Sequence, residues 1–385
     1  MRMGRLSRAW VSLSLGGCLA IVPLAWQAPT LMAQSEQSEL TSDSARTERV
    51  EEVAAKAIEF LKVRGQLEDG SFSATQGPGV TALVLTAVLR NGVDADVPFV
   101  KKGLAYLEDL IHDDGGIYTE DSRVKNYETC LSIMAFAEAN GDGRYTEVIE
   151  RAKAFVVGEQ YDEAEGKTPE DPFYGGTGYG SKGRPDLSNT AVLIEALIAA
   201  GEDADSEAIQ RALYFVSRAQ NLESEHNTLP FPQLNPDGGF YYTPANGGES
   251  QAGTLDNGGL RSYASMTYAG LKSMIYAGVD KDDQRVQAAV EWLEKNYDLE
   301  SNPGMGTAGL YYYYHTVAKS LSAYDEPTFT DEAGTAHDWR AELLAELAGR
   351  QQDDGSWVNS ENPRWMEDNP SLVTAYALIA LSYCR

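Results

Sequence analysis

Gln351-Gln352-Asp353-Asp354-Gly355-Ser356-Trp357 is a polar turn that closes on an aromatic residue. Its Asp-Gly step is a strong turn signal. Beyond it Thr374 opens the run TAYALIALS (374–382), which is apolar on nearly every side and therefore fits a buried helix. A polar turn followed by a Thr-initiated apolar helix is the pattern to look for elsewhere in the chain.

The pattern recurs. Upstream turns read Gln66-Leu67-Glu68-Asp69-Gly70-Ser71-Phe72, Asp113-Asp114-Gly115-Gly116-Ile117-Tyr118, Pro172-Phe173-Tyr174-Gly175-Gly176 and Pro236-Asp237-Gly238-Gly239-Phe240-Tyr241. A looser fifth version is Gly306-Thr307-Ala308-Gly309-Leu310-Tyr311. An apolar helix opening on Thr follows each of them, at Thr81, Thr129, Thr190, Thr267, Thr316 and Thr374, and four end at Gly92, Gly141, Gly201 and Gly278. Segments such as 57–63 and 286–297 are charged on one side and supply the water-facing partner of each buried helix. Repeats of this kind stack and bury their apolar helices against one another. Neither end of the array is more polar than its middle, so a closed arrangement is expected over an open one. The reading is an all-α fold, an α/α toroid of six outer-helix/inner-helix repeats spanning residues 47–385 as one domain.

The chain has 385 residues and a formal charge of −27, with four His and three Cys. Such acidity argues against nucleic acid and anionic membrane surfaces as partners. At the N-terminus Arg2, Arg5 and Arg8 precede an apolar run over residues 9–26, and Leu31-Met32-Ala33 offers a small residue for cleavage. Residues 1–33 therefore read as a signal peptide cut near Ala33, with export to the periplasm or the extracellular space. Leu15-Gly16-Gly17-Cys18 offers the alternative of a lipid anchor at Cys18, and a retained membrane anchor is a third option because the apolar run is only just long enough to span. Residues 34–46 read as a flexible polar segment, and no later stretch is apolar enough to span a bilayer. Cys130 and Cys384, at opposite ends of their helices, read as buried free thiols rather than a bridge.

The Gln351–Trp357 turn resembles the Q-x-x-D-G-x-W repeat of the squalene–hopene and oxidosqualene cyclases, and related turns occur in protein prenyltransferase β subunits. The resemblance covers residues 47–385 and implies a toroid whose inner-helix N-termini line a cavity that holds an isoprenoid in relatives. In the cyclases the protonating acid lies in a D-x-D-D-T-A motif at the start of an inner helix. Asp186-Leu187-Ser188-Asn189-Thr190-Ala191 falls on that pattern but carries Ser188 and Asn189 in place of the two central acids. A literal D-x-D-D, Asp280-Lys281-Asp282-Asp283, precedes a charged helix and reads as a solvated helix start. Tyr314-His315-Thr316 looks like the zinc-ligand segment of the prenyltransferases, yet Arg261 and Tyr263 stand where their Asp and Cys belong. No metal and no cofactor are expected. The Gly-Cys-Gly-Glu-Gln of thioester domains is absent.

Residues just before each inner Thr should face the mouth of the ring. They include Tyr127, Glu128, Ser188, Asn189, Tyr314 and His315. Glu128, Asp186 and His315 are the titratable candidates for acid–base work, with Tyr263 and Tyr268 as further cavity-lining candidates. The expected function is an exported repeat protein binding an apolar, isoprenoid-like ligand in a central cavity. Two alternatives stay open, a cyclase- or prenyltransferase-like enzyme with a displaced acid and a carbohydrate-active enzyme using Asp186 with Glu128. The expected partner is a small lipid or glycan, or another exported protein.

Overall fold

The computed structural model describes residues 43–73 and 76–385. The signal peptide, its cleavage near Ala33, the Cys18 and membrane-anchor alternatives and the polar segment up to residue 42 lie outside the described residues. Among the described residues thirteen α-helices follow one another: α1 (Asp43–Phe60), α2 (Pro78–Arg90), α3 (Pro98–Glu108), α4 (Lys125–Glu138), α5 (Thr146–Gly158), α6 (Leu187–Ala199), α7 (Glu207–Arg218), α8 (Phe231–Leu234), α9 (Ala264–Tyr276), α10 (Gln284–Lys295), α11 (Leu310–Tyr324), α12 (Trp339–Arg350) and α13 (Pro370–Ser382). None of these is long and apolar enough to cross a membrane.

One expectation needs correction. Asp43–Arg46, at the end of the segment read as flexible, already belong to α1, where buried Arg46 bonds to both Asp43 and Asp338. The described residues are mostly helical, with one short strand pair. Phe329–Thr330 pairs antiparallel with Ala336–His337 in a short hairpin between α11 and α12, pinned where Phe329 is buried beside Tyr297.

The six apolar helices α2, α4, α6, α9, α11 and α13 touch in chain order, and α13 returns to α2. The repeated polar residues explain how. In the turns Asp69, Asp114, Asp171, Asp237 and Asp354 each accept the backbone N–H two residues on, an Asx-turn. The next backbone N–H, or in the third unit that of Thr177 a little further on, is given to the register threonine of the following helix. The pairs are Phe72 to Thr81, Ile117 to Thr129, Thr177 to Thr190, Phe240 to Thr267 and Trp357 to Thr374, at 2.9–3.2 Å. Each of these turns is thereby locked to its own inner helix.

The turn glutamine links neighbouring units. Gln66, Gln160 and Gln220 bridge their own turn to Phe99, Ala208 and Arg285 of the next outer helix. Gln351 does the same to Val53 of α1, so the last unit docks on the first. The turn glycine has positive φ, and its Cα sits against the next outer helix's backbone. A Cβ on Gly175 would lie 1.8 Å from the Arg211 carbonyl oxygen, and one on Gly355 would lie 2.4 Å from that of Lys56.

The fifth unit differs. α11 begins at Leu310, immediately after its turn, so Thr316 sits in the second turn of the helix and, among the described residues, its hydroxyl bonds only to the Tyr312 carbonyl. Thr374→Val should strand the N–H of the buried Trp357 and cost about 1–3 kcal/mol in urea unfolding. Thr316→Val, which strands no turn N–H, is expected to cost less than about 1 kcal/mol in the same measurement.

Candidate functional site

Where the N-terminal ends of the inner helices meet, they enclose a cavity of about 410 Å³. Val80 and Leu83 of α2, Met266 of α9 and Leu372 of α13 supply its aliphatic wall. Its aromatic wall is Tyr127, Tyr179, Tyr242, Tyr263, Tyr312 and Tyr376. Trp365 and Met366, on the loop before α13, also line it and remain 44% and 38% exposed, so they stand between cavity and solvent. Both have positive φ, 59° and 64°. Arg364 stacks on the Trp365 ring and donates to Gln251 of a facing loop at 2.5 Å.

Among the described residues the cavity's charged lining consists of two carboxylates. Glu128 is 2% exposed on the first turn of α4, and the Ser122 hydroxyl donates to its Oε2 at 2.6 Å. Among the described residues Oε1 receives no hydrogen bond from the protein. A Cβ on Gly77, whose φ is +74°, would lie 1.9 Å from Oε1, so this glycine keeps the carboxylate's position open. Burial pushes the Glu128 carboxyl upward, and the Ser122 bond pulls it partly back. Glu367 is differently occupied. Its Oε1 accepts the Tyr311 and Tyr312 N–H groups at 2.9 Å and its Oε2 accepts Asn359 at 2.7 Å, which caps the start of α11. Burial raises this carboxyl too, against those donors.

Asp186 is buried behind the wall as the N-cap of α6. Its Oδ1 accepts the Asn189 N–H at 2.9 Å and its Oδ2 the Asn189 side chain at 2.8 Å. Burial raises its carboxyl to about 6, with the Asn189 bonds and the Tyr242 hydroxyl opposing. Asn189 is consumed by the same cap. Ser188 does reach the cavity, where its hydroxyl pairs with that of Tyr312 at 2.9 Å. The cavity thus receives Glu128 but not Asp186, and the two do not form a facing pair of lining carboxylates.

His315 lies beneath the wall, with Nδ1 on the Tyr312 carbonyl at 2.6 Å and its ring stacked on Tyr376. Burial, reinforced by Lys319, pushes its pKa well below the usual range. Tyr127 and Tyr263 line the cavity as expected from their register. Tyr268 and Tyr314 point elsewhere: Tyr268 packs on Tyr313, and the Tyr314 hydroxyl donates to Leu299 and Glu346 on the outer side. Loop residues Tyr179, Tyr242, Trp365 and Glu367 carry no periodicity by which sequence would find them. On the surface, Asp283 caps α10, in keeping with a solvated helix start at Asp280–Asp283. Cys130 and Cys384 are buried free thiols.

Residues 72–234 match the squalene-hopene cyclase C-terminal domain family. This segment is similar to that family. The matched segment holds α4 with Glu128 and α6 with its Asp186 cap, whereas Tyr312, Tyr376 and the Trp365 loop lie beyond it. The likeness to a cyclase domain in sequence is carried by this segment. In three dimensions it is similar to a protein from Actinoplanes at 14% identity and a TM-score of 0.48, over 86% of this chain and 98% of that one. A variant of the type II terpene cyclase MstE from Scytonema, bound to its product merosterolic acid A, is similar at 14% identity and a TM-score of 0.32, over 89% and 99% of the two chains. Another MstE variant, bound to its substrate geranylgeranyl dihydroxybenzoate, gives 13% identity and 0.34 over 88% and 98%. No curated protein matches the chain in sequence.

Proposed function

We propose that this chain is an exported cyclase-like protein, built as an α/α toroid, that holds a predominantly apolar small molecule in its central cavity. The cavity carries the proposal. Its volume falls in the range of small-molecule pockets, roughly 300–1,000 Å³, and its aliphatic and tyrosine walls match the lining of such sites. The closed order of inner-helix contacts and the docking of Gln351 on α1 support the toroid. Protonation through the Asp186 loop is not part of the proposal. Asp186 is spent on a helix cap, and Ser188 and Asn189 have no acidic proton to give at ordinary pH. Export rests on the N-terminal sequence alone. The absence of a zinc requirement rests on Arg261 and Tyr263 standing where the prenyltransferases carry ligands.

Native mass spectrometry of the protein from its own host tests the reading. The expected spectrum shows an added mass of one small molecule, lost on denaturation, on a polypeptide beginning after Ala33. Met266→Trp, which fills the cavity from α9, should remove that added mass while leaving the fold intact. A ligand-free spectrum, combined with no melting shift on adding apolar alcohols, overturns the proposal.

A further inference from the structure

A cavity's lining also states which charge it accepts. Among the described residues every charged side chain in this wall is acidic: Glu128 and Glu367 are present and no Lys, Arg or His is. An anionic headgroup inside the cavity would meet like charge, while Arg364 lies outside the lining, stacked on Trp365 and bonded to Gln251. Glu367 already accepts three hydrogen bonds and is occupied as a helix cap. Glu128 is different. Oε1 of this buried side chain has no donor among the described residues, while Oε2 is fixed by Ser122. This oxygen stays open on the cavity side, where a bound cation or donor could pair with it.

The rest of the wall has the same preference. Aromatic faces carry negative potential and attract organic cations, most strongly when water is excluded. Tyr127, next to Glu128 on α4, together with Tyr179, Tyr242, Tyr263, Tyr312 and Tyr376, surrounds the space that Glu128 faces. We infer that the ligand of this cavity is a lipophilic organic cation, an apolar body bearing one ammonium group, with Glu128 Oε1 as its counter-charge and the tyrosines as its cage. This rests on the cavity being a ligand site, as proposed above, and adds the ligand's chemical class. It places anionic lipids outside the cavity and makes Glu128 a binding residue.

Three probes of matched shape separate the possibilities: adamantylmethylammonium, adamantylmethanol and adamantanecarboxylate, titrated calorimetrically at mildly alkaline pH and physiological salt. The cation is expected to bind about tenfold or more tighter than the alcohol, with the carboxylate weakest. Glu128→Gln should bring the cation down to the level of the alcohol. Non-specific attraction to the acidic surface would survive that substitution, so a cation preference retained in Glu128→Gln overturns the inference. Equal binding of alcohol and cation by the native protein also overturns it, and that outcome needs no variant. If none of the three binds while apolar alcohols of other shapes do, the cation class is rejected and the ligand site stands. If nothing apolar binds at all, the ligand site itself falls.

Discussion

Glu195→Gln is expected to lower the unfolding free energy by about 3–5 kcal/mol, the range seen when one partner of a buried ion pair is removed. Glu195 of α6, Lys272 of α9 and Lys319 of α11 are all at least nine-tenths buried. Lys272 bonds to Glu195 Oε1, and Lys319 bonds to Oε2 at 2.6 Å. One carboxylate therefore holds two ammoniums from neighbouring inner helices. Burial works against ionising Glu195, but the paired lysines overcome it and hold the carboxyl well below the usual range. Both lysines are nevertheless pushed down, because desolvation, joined by repulsion from Lys319 at Lys272 and from Arg90 at Lys319, exceeds what one shared carboxylate returns. The cluster is thus one cation in excess. A neutral amide in place of the Glu195 carboxylate would leave two buried ammoniums without a counter-charge. Lys319→Met, similar in volume, instead leaves a balanced Glu195–Lys272 pair and should change stability by less than about 1 kcal/mol. The pH dependence has a definite sign. Glu195 stays ionised when folded at pH values where the unfolded chain takes up a proton. Its contribution is complete above the ordinary carboxylate range and is lost as pH falls toward its depressed value. Urea unfolding as a function of pH should show that acid limb in the native protein, and a flatter one in Glu195→Gln.

These residues show where sequence reading stops. Each is the single Asp, Glu, Lys or Arg in an otherwise largely uncharged inner-helix run, which marks a buried ion, but spacing within one helix does not say which helices meet. The fold was more legible because the recurring side chains of the turn have backbone tasks. Asp354 closes its own turn, Thr374 takes the next N–H, and Gln351 reaches the neighbouring unit, so the same residue types reappear wherever the same contact is made. The cavity lies between these cases. Residues one or two before the register Thr do line it in most units, as Val80, Tyr127, Glu128, Ser188, Ser265 and Met266 do. The rule fails at α11, which starts a turn earlier relative to Thr316. Tyr312 takes the cavity position there, and successive residues Tyr313, Tyr314 and His315 rotate away from it. Asn189 fails for another reason, since Asp186 needs its amide as a cap partner.

Gly355→Ala is expected to cost about 2–5 kcal/mol and to loosen the junction between the last and first units specifically. Two costs add. Alanine at the Gly355 φ of +90° adopts the left-handed region at roughly 1–2 kcal/mol. Its Cβ would also lie 2.4 Å from the Lys56 carbonyl oxygen and 2.7 Å from that residue's carbonyl carbon, both backbone atoms that no rotamer change can move aside. Forced repacking of such a contact costs about 1–3 kcal/mol. Gly92 supplies the comparison: its φ is +85°, but a Cβ there meets nothing within 4 Å, so Gly92→Ala should show the conformational cost alone. The difference between the two variants in urea unfolding isolates the contact between turn and outer helix. Hydrogen exchange separates the location as well. Displacing the turn also draws Gln351 from the Val53 carbonyl, so protection should fall first in α1 and α13 in Gly355→Ala. In Gly92→Ala any loss should stay at the end of α2. Equal destabilisation by the two alanines, or exchange spread evenly over all six units, would mean that this turn does not hold the first and last units together.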